Sequence, residues 1–247
     1  MSPSDSARTA VVTGGGKGIG RACSDALHAA GFRVVVLGRD QQALATTGCA
    51  IHVCDVTDEA SVATVFDQIG VVDVLVNNAG VSMSAAVHRT SIADWNEAFA
   101  VNATGAFLCT RAVLPGMRER GWGRIVTVAS TSSHAGTPYI AAYAASKHAA
   151  LGLMRVVAAE VAGTGITANT VCPTFVRTAM TERSIANIVE RTGRSAQDAE
   201  QVLASQSALG RLVEPGEVAA AVAYLCSAAA AAVNGQSIIL DGGTIQS

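Results

Sequence analysis

The sequence predicts an α/β fold, a doubly wound parallel sheet with helices on both faces, and three observations carry that prediction. Short runs rich in Val and Ile recur along the chain and are apolar throughout, as strands buried on both faces require. Segments with helical spacing lie between them, and this alternation implies right-handed crossovers. No linker, composition break or internal repeat divides the 247 residues, which read as one domain, 1–247.

In chain order, the first strand is expected at Ala10–Thr13, with a glycine-rich loop leading into a helix over Ile19–Ala30. Arg33–Leu37 is the second strand. From Arg39 to Ile51 there is room for only a short helix, beginning Gln41-Gln-Ala-Leu behind Asp40 as its N-cap. Strand Ile51–Val53, helix Glu59–Ile69 and strand Val74–Val76 complete the first half. Helix Asp94–Arg120, strand Ile125–Val128, helix Tyr143–Gly163, strand Thr167–Val171, helix Pro215–Ser227 and strand Ser237–Leu240 follow. One stretch breaks the rhythm. Residues 174–213 hold no strand-like run and are unusually polar, and such an excursion after a strand's C-terminal end reads as a substrate lid.

Composition narrows the function. Half the residues are apolar and 15% are charged, which suits a buried core. Aromatics are only 4%, so helices can pack closely on the sheet. A formal net charge of -2 gives no electrostatic case for nucleic acid or an anionic membrane as partner. Six scattered cysteines without a CxxC pair read as buried free thiols in a reducing compartment. The first ten residues are polar, and no apolar run reaches the ~18 residues of a membrane span. A cytoplasmic protein is expected.

The first strand runs into Thr13-Gly-Gly-Gly-Lys-Gly-Ile-Gly20 and then directly into a helix. Glycines at 14, 18 and 20 permit a tight turn, close approach of backbone to a pyrophosphate, and close helix-to-sheet packing. The helix start beyond presents free N–H groups to an anion, so the loop points to a dinucleotide. Further on, Tyr143 and Lys147 stand four residues apart on one helix face. The pair alone also fits an ordinary surface helix. A nearby ammonium favours phenolate and is expected to lower the tyrosine pKa from its usual value near ~10. Such a tyrosine can take a proton from an alcohol or give one to a carbonyl oxygen.

Thr13-Gly-x-x-x-Gly-x-Gly20, Asn77-Asn-Ala-Gly80 after a strand, and Tyr143-x-x-x-Lys147 together resemble the short-chain dehydrogenase/reductase family. The resemblance runs from Ala10 to about Gly243 and includes Asp55-Val56, Gly210-Arg211 with Pro215-x-Glu217-Val-Ala, and Asp241-Gly-Gly243. It implies a Rossmann-type domain moving a hydride between a nicotinamide dinucleotide and a ketone or secondary alcohol. Four catalytic residues are implied: Tyr143, Lys147, Ser130 to bond the substrate oxygen, and Asn102 to hold a water near the lysine. Implied cofactor contacts are Gly14, Gly16, Lys17, Gly18, Ile19 and Gly20, with Asp55 and Val56 flanking the adenine. Asn78, Ala79 and Gly80 would meet the adenine ribose, and Pro173, Val176 and Thr178 the nicotinamide. No metal is expected. The chain departs from the family where Thr174 follows Pro173 in place of glycine.

The second strand ends at Gly38-Arg39-Asp40, with Gly38 where NAD-preferring relatives carry an acid. Arg39 suits a 2′-phosphate, and Lys17 adds positive charge, so NADP(H) is favoured over NAD(H). Asp40, about twenty residues past the last glycine, keeps NAD(H) as the alternative. Expected substrate walls are Ser132, His134, Tyr139, Ile140 and Met180, with Ile185 and Ile188 on the lid. They make a mostly apolar pocket for a medium-sized ketone or alcohol. His134 also fits a surface position, and His148 a packing or subunit contact. Arg183, Arg191 and Arg194 could meet a phosphopantetheine or CoA phosphate, or simply solvate a helix. Resemblance to polyketide ketoreductases and hydroxyacyl dehydrogenases implies a β-ketoacyl or β-hydroxyacyl group. The alternative is NAD-dependent oxidation of a secondary alcohol or hydroxyacyl-CoA; a non-catalytic dinucleotide-binding protein is the remote one. The family's habit implies a homotetramer or homodimer.

Overall fold

The computed structural model describes residues 7–246. Its strands are β1 (Thr9–Thr13), β2 (Arg33–Gly38), β3 (Ala50–Val53), β4 (Val74–Asn77), β5 (Gly123–Val128), β6 (Ile166–Pro173) and β7 (Ser237–Leu240). They form one parallel sheet in the order β3-β2-β1-β4-β5-β6-β7. The chain starts in the middle, winds out to β3, crosses back to β4 and winds out to β7. That reversal opens a crevice beyond the C-terminal ends of β1 and β4.

Successive strand residues serve opposite faces, which is why the inner strands are apolar at every position. Val11, Val35, Leu37, Leu75 and Ile125 join one core with Phe66, Leu108, Met117 and Met154. Those four come from α3 (Glu59–Ile69), α5 (Gly105–Arg120) and α6 (Ala141–Glu160). Ala10, Val12, Val34, Val36, Val74 and Val76 join the other core, with Leu27 of α1 (Gly18–Ala29) and Leu225 of α9 (Pro215–Cys226). Each fully buried Val or Leu stabilises the fold by about 1.5–3 kcal/mol, so a charge at Val11 or Val12 would break a face outright.

Asp40 caps α2 (Gln41–Ala45), its Oδ1 accepting from the Ala43 amide at 3.0 Å. The helix expected over 94–120 differs in two ways. It begins at Ile92, because Ser91 caps it and accepts from the Asp94 amide. A π-helical turn, Ala100–Thr104, then separates α4 (Ile92–Phe99) from α5. This 92–120 stretch is long and apolar enough by composition to cross a membrane, but Leu108, Cys109, Val113 and Met117 are spent on the sheet. Within 174–213 lie α7 (Ala179–Thr192) and α8 (Ala196–Ala204), packed on each other. All six cysteines are free thiols, and burial pushes Cys23 and Cys109 up to about 12, too high to react at neutral pH.

Candidate active site

The ends of β1 and β4 are tied together where the crevice opens. The Thr13 hydroxyl accepts from the Asn78 and Ala79 amides, both at 3.0 Å. Asn78 Nδ2 returns bonds to the carbonyls of Thr13 (3.0 Å) and Gly14 (3.3 Å). Gly14, Gly16, Lys17, Gly18, Ile19 and Gly20 form the rim above this lock. Two glycines there are dictated by geometry. Gly18 has φ +51°, the left-handed region, and a Cβ on Gly20 would overlap the Gly14 carbonyl and the Asn78 amide. Lys17 at the N-cap of α1 makes no side-chain cap, and no acid stands in the first turn. Those N–H groups therefore face the crevice as an anion site, which fits a pyrophosphate.

The four expected catalytic residues converge from three elements. Ser130 follows β5 and is buried; its oxygen accepts from the Ser132 amide at 3.1 Å. With that lone pair occupied, its hydroxyl proton is free to point at a substrate oxygen. Tyr143 and Lys147 share a face of α6, the ammonium 5.8 Å from the ring centroid. Lys147 Nζ donates to the Val128 carbonyl at 2.8 Å, which leaves two protons available. Asn102 sits in the π turn and is fully committed: Oδ1 accepts from Val81 N at 2.9 Å, and Nδ2 donates to Val81 O and to Ser146 Oγ. Ser146 in turn donates to the Tyr143 carbonyl at 2.8 Å. One network thus runs from the cofactor-side turn at Val81, through Asn102, to the base of the tyrosine.

The electrostatics depart from the expectation for Tyr143. Burial raises its phenol above the ordinary value, Ser130 alongside pulls it down, and the Cys172 thiol adds to the rise. Burial also pushes Lys147 down, to about 8, so the ammonium is still present at neutral pH. In the free protein the tyrosine is therefore a firmly protonated acid, not a ready phenolate.

The remaining expected residues divide. Gly80 stands against Asn102 and Lys147, since a Cβ there would lie 3.2 Å from Asn102 Oδ1 and 3.5 Å from Lys147 Nζ. Thr178 meets Gly18, its methyl 3.2 Å from where a Cβ would be, so the start of α7 touches the glycine loop. Val176 pairs with Val213 in a single-rung bridge that uses the Phe175 carbonyl and Arg177 amide, so the Val176 amide faces the other way. Pro173 closes β6, and the Thr174 amide bonds Leu240. Asp55 is occupied by Thr57, whose amide and hydroxyl it accepts, and that pairing holds its carboxyl below the usual range. Val56 is buried, packed where Gly105 leaves room. Arg39 is exposed. Lys17 is not a free charge: it pairs with Asp40 at 2.6 Å.

Around the reaction centre, Ser132 is buried, while Ile140 and Met180 are half-buried. Tyr139 is 63% exposed and takes φ +70°, unusual for a large side chain, with its carbonyl held by the Ala85 amide. A second single-rung bridge joins Ala85 to Ile140. His134 lies near Arg155 and His148, both exposed on α6; its Nε2 is buried without a partner, and burial first, then those charges, lower its pKa. Arg183, Arg191 and Arg194 are exposed. Thr13 was legible only as the first residue of the glycine-loop motif, and Val81 and Ser146 were not legible as site residues.

Residues 14–244 match the family model described as "Enoyl-(Acyl carrier protein) reductase". The chain is 39% identical to an acetoacetyl-CoA reductase of Shinella zoogloeoides over 96% of this chain and 98% of that protein. It is 35% identical to a D-beta-hydroxybutyrate dehydrogenase of Cupriavidus necator, with the same coverage of each. A crystal structure of actinorhodin polyketide ketoreductase with NADPH superposes with a TM-score of 0.90 at 38% identity, covering 96% of this chain and 97% of that one.

Proposed function

The chain belongs to the short-chain dehydrogenase/reductase family, and on that premise we propose that it reduces β-ketoacyl thioesters with NADPH, using Tyr143 as proton donor. It is an oxidoreductase acting between ketones and secondary alcohols with a nicotinamide dinucleotide. The carrying observation is the convergence of Ser130, Tyr143 and Lys147 beside the glycine loop. The raised phenol and the buried serine hydroxyl beside it both suit reduction, since each has a proton to offer one carbonyl oxygen.

When bound, the dinucleotide supplies the hydride. Ser130 donates to the substrate oxygen and gathers its developing charge. Tyr143 then passes its proton to that oxygen. Lys147, charged below about pH 8, would hold its remaining protons toward a bound ribose and the phenol, which would make that transfer easier. Asn102 and Ser146 act through backbone, fixing the start of α6 against Val81. Arg39 would meet the 2′-phosphate, and residues 174–213 would close over the substrate as the lid of a single domain. The same reading includes a cytoplasmic homotetramer or homodimer. Exposed Phe107 on α5 and Val156 on α6 offer an apolar surface for assembly.

The test is turnover of a panel of β-ketoacyl thioesters, simple ketones and alcohols with both dinucleotides. Tyr143→Phe should lower kcat by about 10²–10⁴ while dinucleotide binding persists. Undiminished turnover in that variant would rule out Tyr143 as the donor, and a cofactor preference unmoved by Arg39→Ala would rule out the 2′-phosphate role.

A further inference from the structure

Three charges meet at the end of β2. Arg39 is exposed, and its field reaches the Asp55 carboxylate. Asp40 is held at both oxygens: Oδ2 accepts from Lys17 Nζ at 2.6 Å, and Oδ1 accepts from Ala43 N at 3.0 Å. The carboxylate cannot swing away from the glycine loop without uncapping α2. The loop and the helix are close here, since a Cβ on Gly16 would lie 3.1 Å from the Ala43 backbone. The bond to Lys17, and next the Ala43 amide, keep the Asp40 carboxyl below the ordinary range, so it stays charged at any working pH.

We propose that Asp40 is a specificity-determining residue that mutes discrimination between the two dinucleotides by competing with a ribose 2′-phosphate for Lys17. The proposal rests on the NADP(H) reading above. A phosphate approaching Lys17 must break a charge-assisted bond and sit near a fixed carboxylate. A plain 2′-hydroxyl meets neither obstacle. Of the two cations placed for a 2′-phosphate, Arg39 is ready and Lys17 is held in check.

Calorimetric titration of adenosine 2′,5′-bisphosphate and adenosine 5′-monophosphate, without nicotinamide or substrate, reads this directly. Asp40→Asn keeps an oxygen to cap Ala43 and frees Lys17, so the fold is preserved. It should tighten the bisphosphate by about three- to fivefold and leave the monophosphate within about 1.5-fold. Lys17→Ala should then matter little in the wild type, yet remove most of the gain in the Asp40→Asn background. The NADPH-to-NADH ratio of kcat/KM should rise in parallel. An unchanged bisphosphate affinity overturns the proposal. So does a monophosphate weakened by about tenfold or more, which would make Asp40 a ribose ligand. If the wild type binds both probes equally and Arg39→Ala alters neither, the NADP(H) reading fails, and Asp40→Asn still decides the role of Asp40.

Discussion

The crevice over β1 and β4 and the segment 174–213, the proposed lid, are tied to the rest of the molecule by different physics. In the crevice, Thr13, Asn78, Val81 and Asn102 exchange hydrogen bonds with backbone in largely buried surroundings. An unmade bond there strands a polar group away from water, so the geometry is enforced. Residues 174–213 are anchored by buried Val176, Ala199, Leu203 and Val213, but their outer ties are ion pairs of Arg177 with Glu200 of α8 and with Glu214 ahead of α9, each at 3.0 Å. All three side chains are at least a third exposed, so solvent screens these pairs. The difference teaches where tolerance lies: the crevice is enforced by buried hydrogen bonds, while the outer ion pairs of 174–213 can be broken at small cost.

The sharpest way to break the comparison is a methyl group in the crevice. Gly20→Ala should destabilise the fold by about 3 kcal/mol, because the new Cβ meets backbone that cannot yield, and should abolish dinucleotide binding. Thermal melting with and without NADPH checks both, and unaltered binding would show the crevice to be as forgiving as the lid. Next in size is Lys147. Its folded pKa of about 8 lies below the 10.5 of the free side chain, so between those values the unfolded chain holds more protons. Stability should therefore rise with pH across that window, by roughly 3 kcal/mol in all, and the slope should vanish in Lys147→Met. kcat/KM for ketone reduction should fall over the same range as the ammonium is lost. Flat profiles would place the lysine outside both roles. The smallest effect belongs to the lid. Arg177→Gln should raise the substrate KM by about two- to fivefold with kcat nearly unchanged, and wild-type KM should drift upward with salt. A loss as large as that of Gly20→Ala would erase the distinction.

The same contrast explains what was legible in the sequence. The glycines and the Tyr143–Lys147 pair could be read because a turn, a close packing or one helix face constrains residue type locally. Five of the seven strands stood within one residue of their expected ends for the same reason, and β5 and β6 run two residues further at one end. Long-range partners were not legible. Ser146 and Asn102 are 44 residues apart, and Lys17 and Asp40 are 23 apart, so nothing local announces either contact. The rise at Tyr143 in the free protein was not legible because spacing reveals a neighbouring charge but not burial, and burial dominates. Family likeness supplied Ser130 and Asn102, and the packing supplies a physical reason for each.

The two single-rung bridges, Ala85 to Ile140 and Val176 to Val213, staple the loops on either side of the reaction centre to distant parts of the chain. Loop length at those points is therefore under constraint from partners 55 and 37 residues away, and an insertion there would unseat Tyr143 or the start of α7. New substrate scope is easier to reach by exchanging side chains on the unstapled stretches 82–84 and 182–192, leaving Thr181, which bonds the Val176 carbonyl, untouched. A library confined to those positions leaves the staples, and with them the chemistry, in place.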